Sequence, residues 1–211
     1  MIRFITLIFL ATLYSLSAKA AIVTIDPDNC GVNPGDLTCY YSNTTSNLGT
    51  SSEIEAAFSV NFDPDLTFYY KSESVDGQDS GTDPTSPFSG SYDTTFKEFE
   101  DAAGKKDPNG ADIIYNQGTT AINCPECYLI VKDGDQGDPA QYLIDLGSWN
   151  GLDTLALTGF WDSGHGSISN VAIWGRVSGL PGPSPVPVPA AVWLFGTALI
   201  GFIGVSRRTK V

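Results

Sequence analysis

The side chains best suited to acid–base chemistry lie in one short segment, residues 162–167, which reads DSGHGS. His165 is the only histidine of the chain and would be the general base of a serine hydrolase, with Ser163 or Ser167 as the nucleophile. Asp162 would orient the imidazole. A triad needs a serine and a base that meet across a rigid scaffold beside an oxyanion hole, whereas these residues crowd into one glycine-rich turn. We therefore predict no catalytic residue and no enzyme activity.

The four cysteines lie in two close pairs, Cys30 with Cys39 and Cys124 with Cys127. The second pair has the spacing of a thioredoxin-like redox site, but that chemistry needs a helix N-terminus, and a β-rich run follows here. Two pairs would also supply the four ligands of a zinc site. Because the termini of the chain indicate export, we expect oxidation instead. Four cysteines permit three pairings, of which we predict the two local disulfides.

Two clusters of aspartates are candidates for a calcium site, because flexible turns rich in oxygen ligands suit that cation. Asp133, Asp135 and Asp138 crowd one turn, and three more aspartates lie in the loop 72–91. Neither cluster has the spacing of an EF-hand, which requires glycine at position 6 and glutamate at position 12. Solvated turn aspartates explain both clusters better than a calcium site does. We predict no cofactor and keep calcium as the alternative.

Three tryptophans, Trp149, Trp161 and Trp174, could stack on sugar rings as in a lectin, because an aromatic face serves both binding and burial. Core packing explains at least two of them more simply. A carbohydrate-binding module is therefore the alternative functional class.

The N-terminus has the three parts of a secretory signal peptide: the basic residue Arg3, an apolar run over residues 4–16, and a small-x-small site at Ala18-Lys19-Ala20. We predict transport through the Sec translocon and cleavage by signal peptidase after Ala20. The mature domain would then span residues 21–179.

The C-terminus also has three parts. Residues 180–189 form a proline-rich linker, for which we expect an extended and stiff backbone. Residues 190–206 are apolar and uncharged, and we predict that they form one transmembrane helix. The basic residues of the tail 207–211 place that tail in the cytoplasm and the preceding domain outside.

This arrangement closely resembles the PEP-CTERM sorting signal in its VPLPA-like variant. The name-giving Pro-Glu-Pro of the family is Pro-Val-Pro in this chain. The resemblance implies that an exosortase recognises the helix and removes it, in a bacterium with a Gram-negative envelope. The protein would be anchored in the inner membrane transiently and then reach the cell surface or the extracellular space. The residues that carry the resemblance are Pro187, Val188, Pro189, Ala190, Trp193, Gly196, Arg207 and Arg208.

A second resemblance covers residues 124–175, about a quarter of the chain. Their Cys-Tyr-Leu, Lys-Asp-Gly, Trp-Asn-Gly and Gly-Phe-Trp landmarks look like those of a body domain found on many PEP-CTERM proteins. The family usually has a proline and a histidine where this chain has Asp162 and Asn170. The resemblance implies a structural or adhesive role at the cell surface or in an exopolysaccharide-rich biofilm matrix.

The predicted mature domain is strongly acidic. All 24 acidic residues lie between Asp26 and Asp162, against six basic residues in the domain, so its net charge is about −18. A field of that sign opposes polyanions at contact range. We therefore exclude nucleic acid as a partner.

Periodicity predicts an all-β domain. Residues 22–25 form a strand, and alternation over 58–62 and 66–70 predicts a hairpin. Residues 72–91 contain almost nothing to bury, which predicts a surface loop. Residues 95–103 form the one predicted short helix, because Thr-x-x-Glu has the capping-box spacing and apolar residues share a helical face.

The strongest pattern runs over residues 124–177, where four β-rich runs alternate with turn-rich breaks, as in four antiparallel strands. We predict an antiparallel β-sandwich, jelly-roll-like, followed by the single C-terminal helix.

Overall fold

The computed structural model describes residues 20–30, 37–74, 81–100, 106–134, 137–147, 149–161 and 166–176. These residues form nine strands, one α-helix and a 3-10 turn at Pro27–Asn29. The elements in chain order are β1 Ile22–Ile25, β2 Thr38–Ser42, α1 Ser51–Phe58, β3 Thr67–Glu73, β4 Tyr92–Glu100, β5 Lys106–Tyr115, β6 Cys127–Asp133, β7 Gln141–Gly147, β8 Thr154–Leu157 and β9 Ile168–Gly175.

The strands form two sheets, and the all-β prediction is confirmed. One sheet has the order β1-β8-β5-β4 and the other the order β2-β7-β6-β9-β3. The four strands predicted over residues 124–177 are β6 to β9, but β8 belongs to the four-stranded sheet while its sequence neighbours lie in the five-stranded one. The expectation of purely antiparallel pairing is wrong at one place, because β1 and β8 run parallel. The long connection between these two strands removes the constraint of a tight hairpin turn, which would make them antiparallel.

One hydrophobic core joins the two sheets. Ile113 of β5 and Leu155 of β8 are fully buried in the same cluster as Leu129 of β6 and Ile144 of β7. These strands contribute alternate residues to the core, as the two-residue period of a strand requires. Burial of such side chains stabilises each by about 1.5–3 kcal/mol relative to exposure.

Helix α1 covers the outer face of the five-stranded sheet. Its buried residues Ile54 and Phe58 cluster with Ile130 of β6, Leu143 of β7 and Trp174 of β9. Strand β6 is therefore apolar on both faces, and five consecutive residues from its start are buried. A continuous apolar run of this kind is typical of a central strand.

The predicted hairpin over residues 58–70 is wrong in its first half. Helix α1 ends at Phe58, where the first strand was expected, and its C-cap Ser59 has a left-handed backbone with φ 54°. A capping box formed by Thr50 and Glu53 fixes the start of the helix. Phe62 still packs into the cluster under α1, as Phe58 does. The apolar residues at these two positions therefore reflect burial in the same cluster and not a strand. The second half of the prediction is confirmed as β3.

The predicted helix over residues 95–103 is wrong. Residues as far as Glu100 form β4, which pairs with β5 along its whole length. Tyr92, Thr94 and Phe96 are buried while the residues between them are exposed, which is the period of a strand. The long pairing with β5 outweighs the local helical spacing, since tertiary context routinely overrides propensity.

The described part of the predicted loop 72–91 is tied to the sheet. The N–H of Asp83 donates to the carbonyl of Lys71, and the N–H of Glu73 donates to the carbonyl of Gly81. Ser86 is buried, and its hydroxyl accepts a hydrogen bond from the N–H of Lys71 at 3.0 Å. This segment therefore packs on β3 instead of extending into solvent.

Candidate functional site

Most residues of the two sorting regions lie outside the described part of the chain, including Ala18 and all of residues 177–211. Ala20 is the first residue described, and β1 begins two residues after it. None of the helices in the described ranges is long and apolar enough to cross a membrane. The predicted sorting signal at residues 187–208 and the helix 190–206 stay predictions.

The residues considered for a catalytic triad are only partly described. Asp162, Ser163 and His165 lie outside the described residues. Ser167 is described, and its backbone N–H donates to Oδ1 of Asp133 at 2.6 Å. Its carbonyl accepts from the N–H of Gly134 at 2.8 Å, so both of these contacts tie the backbone of Ser167 to the end of β6.

Both predicted disulfides are present. Cys30 and Cys39 are joined with their Cα atoms 5.3 Å apart, and Cys124 and Cys127 with theirs 5.5 Å apart. The second bridge is buried at the start of β6, against Gly175 of β9, where an added Cβ would lie 2.8 Å from that of Cys124. This bridge is thus part of the core, where its buried sulfur atoms are shielded from a redox partner.

Of the three aspartates proposed for calcium, Asp133 is described and buried, Asp138 is described and exposed, and Asp135 lies outside the described residues. One oxygen of Asp133 accepts from Ser167, as above, and the other accepts from the N–H of Gly137. This carboxylate therefore joins the β6–β7 turn to the segment before β9. Within the described ranges no three potential ligands lie together, and the calcium site stays a prediction.

The three tryptophans are all buried, so none presents a free ring face to a sugar. Trp149 and Trp161 are each 7% exposed, and Trp174 is 3% exposed. The indole N–H of Trp149 donates to the carbonyl of Asp153 at 3.0 Å, and that of Trp161 donates to the carbonyl of Pro139 at 2.8 Å. Their role in core packing is confirmed.

An open groove of about 550 Å³ lies at the edge of the five-stranded sheet. It runs from helix α1 past the end of the edge strand β2 to the turn between β6 and β7. Its lining is mainly polar, with one aromatic side chain. The lining residues are Tyr41, Ser42, Asn43, Thr44, Ala57, Asp138 and Pro139.

Tyr41 is the aromatic residue of this groove. Its side chain is 51% exposed, and it is the only aromatic among the large exposed apolar residues of the described chain. Its ring meets the ring of Tyr142 edge to face at 5.4 Å, and Tyr142 in turn contacts Phe160 at 5.2 Å and Trp161 at 5.3 Å. The Tyr41 ring thus contacts the core through Tyr142, while about half of the residue remains exposed.

Burial raises the pKa of Tyr142, and the neighbouring Tyr41, Asp28 and Asp138 raise it further. The phenol beneath Tyr41 therefore stays neutral at physiological pH. The ring that contacts Tyr41 is therefore an uncharged tyrosine.

Gln141 fixes the loop that carries the groove residues Asn43 and Thr44. Its side chain is 1% exposed, and its Nε2 donates to the carbonyls of Thr44 and Ser46 at 2.5 and 2.9 Å. The Ser42 hydroxyl accepts from the N–H of Thr44 at 3.1 Å. Three hydrogen bonds therefore fix the loop that follows β2, and with it the position of Asn43.

Sequence reasoning missed this groove, although one signal for Tyr41 was available. Tyr40 and Tyr41 are consecutive in a strand, so their side chains must point to opposite faces. Tyr40 packs against the cluster under α1, which leaves Tyr41 on the other side of an edge strand.

Comparison of the chain with protein-family models, with curated proteins and with solved structures found no match. The resemblance to PEP-CTERM proteins therefore rests on the residues quoted from segments 124–175 and 187–208 and stays a prediction.

Proposed function

We propose that the chain is an exported protein of the cell surface or the extracellular matrix, delivered by an exosortase and structural or adhesive in an exopolysaccharide or biofilm setting. The observation that carries this proposal is the pair of disulfides, Cys30–Cys39 and Cys124–Cys127, because structural disulfides persist in oxidising compartments. The signal-like segments at both ends of the chain agree with it. The ectodomain would be a jelly-roll-like sandwich without catalytic activity.

The acidic surface supports the same setting. A net charge of about −18 over the domain keeps it soluble at high concentration and repels anionic polymers. A matrix protein must stay soluble until it is incorporated into the matrix. Because the negative charge of the domain repels anionic polymers, a neutral polymer is the more compatible partner.

Mass spectrometry of the mature protein tests the proposal. The full chain would be expressed in an exosortase-positive host and in the same host without the exosortase. We expect the first host to yield a chain that begins at Ala21 and lacks Trp193 and all later residues. A protein that keeps its C-terminus in the exosortase-positive host would be a permanent membrane anchor, and the sorting proposal would fail.

Changing Arg207, Arg208 and Lys210 to serine provides the matched variant for this experiment. The basic tail resists crossing the membrane and thereby keeps the cleavage region near the outer face. We expect the triple variant to be processed less, with an unchanged ectodomain. Normal processing of this variant would show that the basic tail has no part in sorting.

A carbohydrate-binding module is the second candidate function. The groove at Tyr41 favours it, because an exposed aromatic ring among hydroxyl, amide and carboxylate groups offers both kinds of contact that a sugar makes. The buried tryptophans do not support it.

A further inference from the structure

We propose that the groove lined by Tyr41, Asn43, Thr44 and Asp138 is a binding site for a neutral saccharide. This inference rests on the proposed function for its source of ligand, since a polysaccharide matrix would supply the sugar. The site itself is argued from the geometry of the groove.

Tyr41 supplies the apolar contact. The C–H face of a pyranose ring is apolar, and stacking it on an aromatic ring removes both surfaces from water. Tyr41 is half-exposed, and its contact with Tyr142 at 5.4 Å limits the orientations that its ring can adopt. A ring that is already ordered loses less entropy on binding than a free surface side chain.

The polar lining supplies the contacts to hydroxyl groups. A sugar hydroxyl both donates and accepts hydrogen bonds, so it needs partners of both kinds. The Asn43 amide and the Thr44 hydroxyl can each donate and accept, and the Asp138 carboxylate supplies further acceptor oxygens. The groove therefore presents both donors and acceptors beside Tyr41.

The loop that carries Asn43 and Thr44 is held before any ligand arrives. The buried amide of Gln141, in the adjacent strand, fixes two carbonyls of this loop, although nearly a hundred residues separate the two segments in sequence. Because the buried glutamine already orders this loop in the folded protein, the entropy cost of ordering it arises during folding and not during binding. The loop that carries Asn43 and Thr44 is therefore ordered before binding.

The volume of the groove and the negative charge of the domain restrict the class of ligand. A volume of about 550 Å³ lies within the range of roughly 300–1,000 Å³ found for small-molecule sites. The acidic domain, with Asp138 in the groove itself, opposes uronic acids and sulfated sugars. We therefore assign the site to neutral polysaccharides.

Titration of the full chain, purified in detergent, with soluble oligosaccharides tests the inference. The probes are neutral oligomers of glucose, galactose, mannose and N-acetylglucosamine, with an oligogalacturonate as the anionic comparison. We expect at least one neutral oligomer to bind and the anionic one to bind more weakly. Tyr41→Ala should weaken binding by about tenfold or more, whereas Tyr41→Phe, which keeps the ring, should bind as the wild type does.

Ile114→Ala is the matched control, because Ile114 is 42% exposed on the other sheet and far from the groove in the strand order. It should leave binding unchanged. Asp138→Asn, an exposed change, provides a second groove variant in case Tyr41→Ala unfolds, and it should alter affinity without loss of melting temperature. The inference is overturned if no neutral oligomer binds, or if both groove variants bind as the wild type does. Because this experiment needs neither export nor exosortase, its failure leaves the sorting proposal intact, and failed sorting leaves the binding result intact.

Discussion

The backbone nitrogen of Ala21 lies 2.8 Å from Oδ1 of Asp153 and donates a hydrogen bond to it across 132 positions of sequence. The same aspartate accepts at its other oxygen from Nδ2 of Asn150, at 2.8 Å. The carbonyl of Ala21 accepts from the N–H of Thr154, which starts the parallel pairing of β1 with β8. The first residue after the predicted cleavage site is thus fixed on the fold.

The first prediction follows from this contact. Cleavage after Ala20 would turn the nitrogen of Ala21 into an ammonium group, so the hydrogen bond would become an ion pair that exists only in the mature protein. We expect Asp153→Asn to lower the stability of the mature form by up to about 1 kcal/mol, and salt to reduce the difference. N-terminal sequencing and thermal unfolding at low and high salt measure both parts.

A form in which cleavage is blocked is the control for this prediction. With Ala20 still attached, the Ala21 nitrogen carries no charge, and Asp153→Asn should show little salt dependence. A mature protein that begins at another residue would refute the predicted site. An equal salt effect in both forms would show that the charge of the terminus is not involved.

The second prediction concerns Tyr92, whose buried phenol links two loops. Its hydroxyl donates to the carbonyl of Gly151 at 2.7 Å and accepts from the N–H of Ile122 at 2.8 Å. Tyr92→Phe would leave both buried backbone groups without this partner, and we expect a loss of about 1–3 kcal/mol in the free energy of unfolding. Tyr41→Phe, at the exposed tyrosine of the groove, should change it by less than about 0.5 kcal/mol. Urea titration compares the two, and equal stability would contradict this role.

Two occurrences of one motif illustrate what could be predicted from the sequence. Thr-x-x-Glu occurs at Thr50 and again at Thr95, with the spacing of a capping box. At Thr50 it starts α1, where Ile54 and Phe58 follow on one helical face. At Thr95 it lies inside β4, because alternation from Tyr92 onward fits the pairing with β5. A local signal was correct only where tertiary contacts agreed with it.

The same reasoning applies to the rest of the fold. Strands β6 to β9 were predictable because β-rich runs end in turn residues, and the disulfides because the cysteines are close in sequence. The position of β8 in the four-stranded sheet depends on contacts with Ile25 and Ile113, which no local sequence pattern encodes. The groove likewise depends on Gln141 reaching Thr44, a pairing set by the register of β2 against β7.

The third prediction concerns acid. Hydrogen bonds from the N–H of Gly49 and from Thr50 lower the pKa of Glu53 below its ordinary value of 4.5. A lowered pKa in the folded state means that this contribution to stability is present above pH 4.5 and disappears as the pH falls through the folded pKa. Glu53→Gln should therefore melt below the wild type at pH 7, and the two melting temperatures should converge as the pH falls below 4.5. Parallel melting curves over that range would exclude a role for the charge.

The last prediction distinguishes a structural carboxylate from a calcium ligand at Asp133. Both of its oxygens already accept backbone N–H groups, from Gly137 and Ser167, so the buried carboxylate has a structural role that requires no cation. We expect Asp133→Asn to lower the free energy of unfolding by about 1–3 kcal/mol, since the amide nitrogen would oppose one of the two donors.

Asp138→Asn, at the exposed aspartate of the same turn, should cost less than about 0.5 kcal/mol. Calcium and a chelator should leave the melting temperature of the wild type unchanged. A rise of many degrees with calcium, absent in Asp133→Asn, would instead show that the metal stabilises the native state through this residue, because ligand stabilisation follows occupancy of that state.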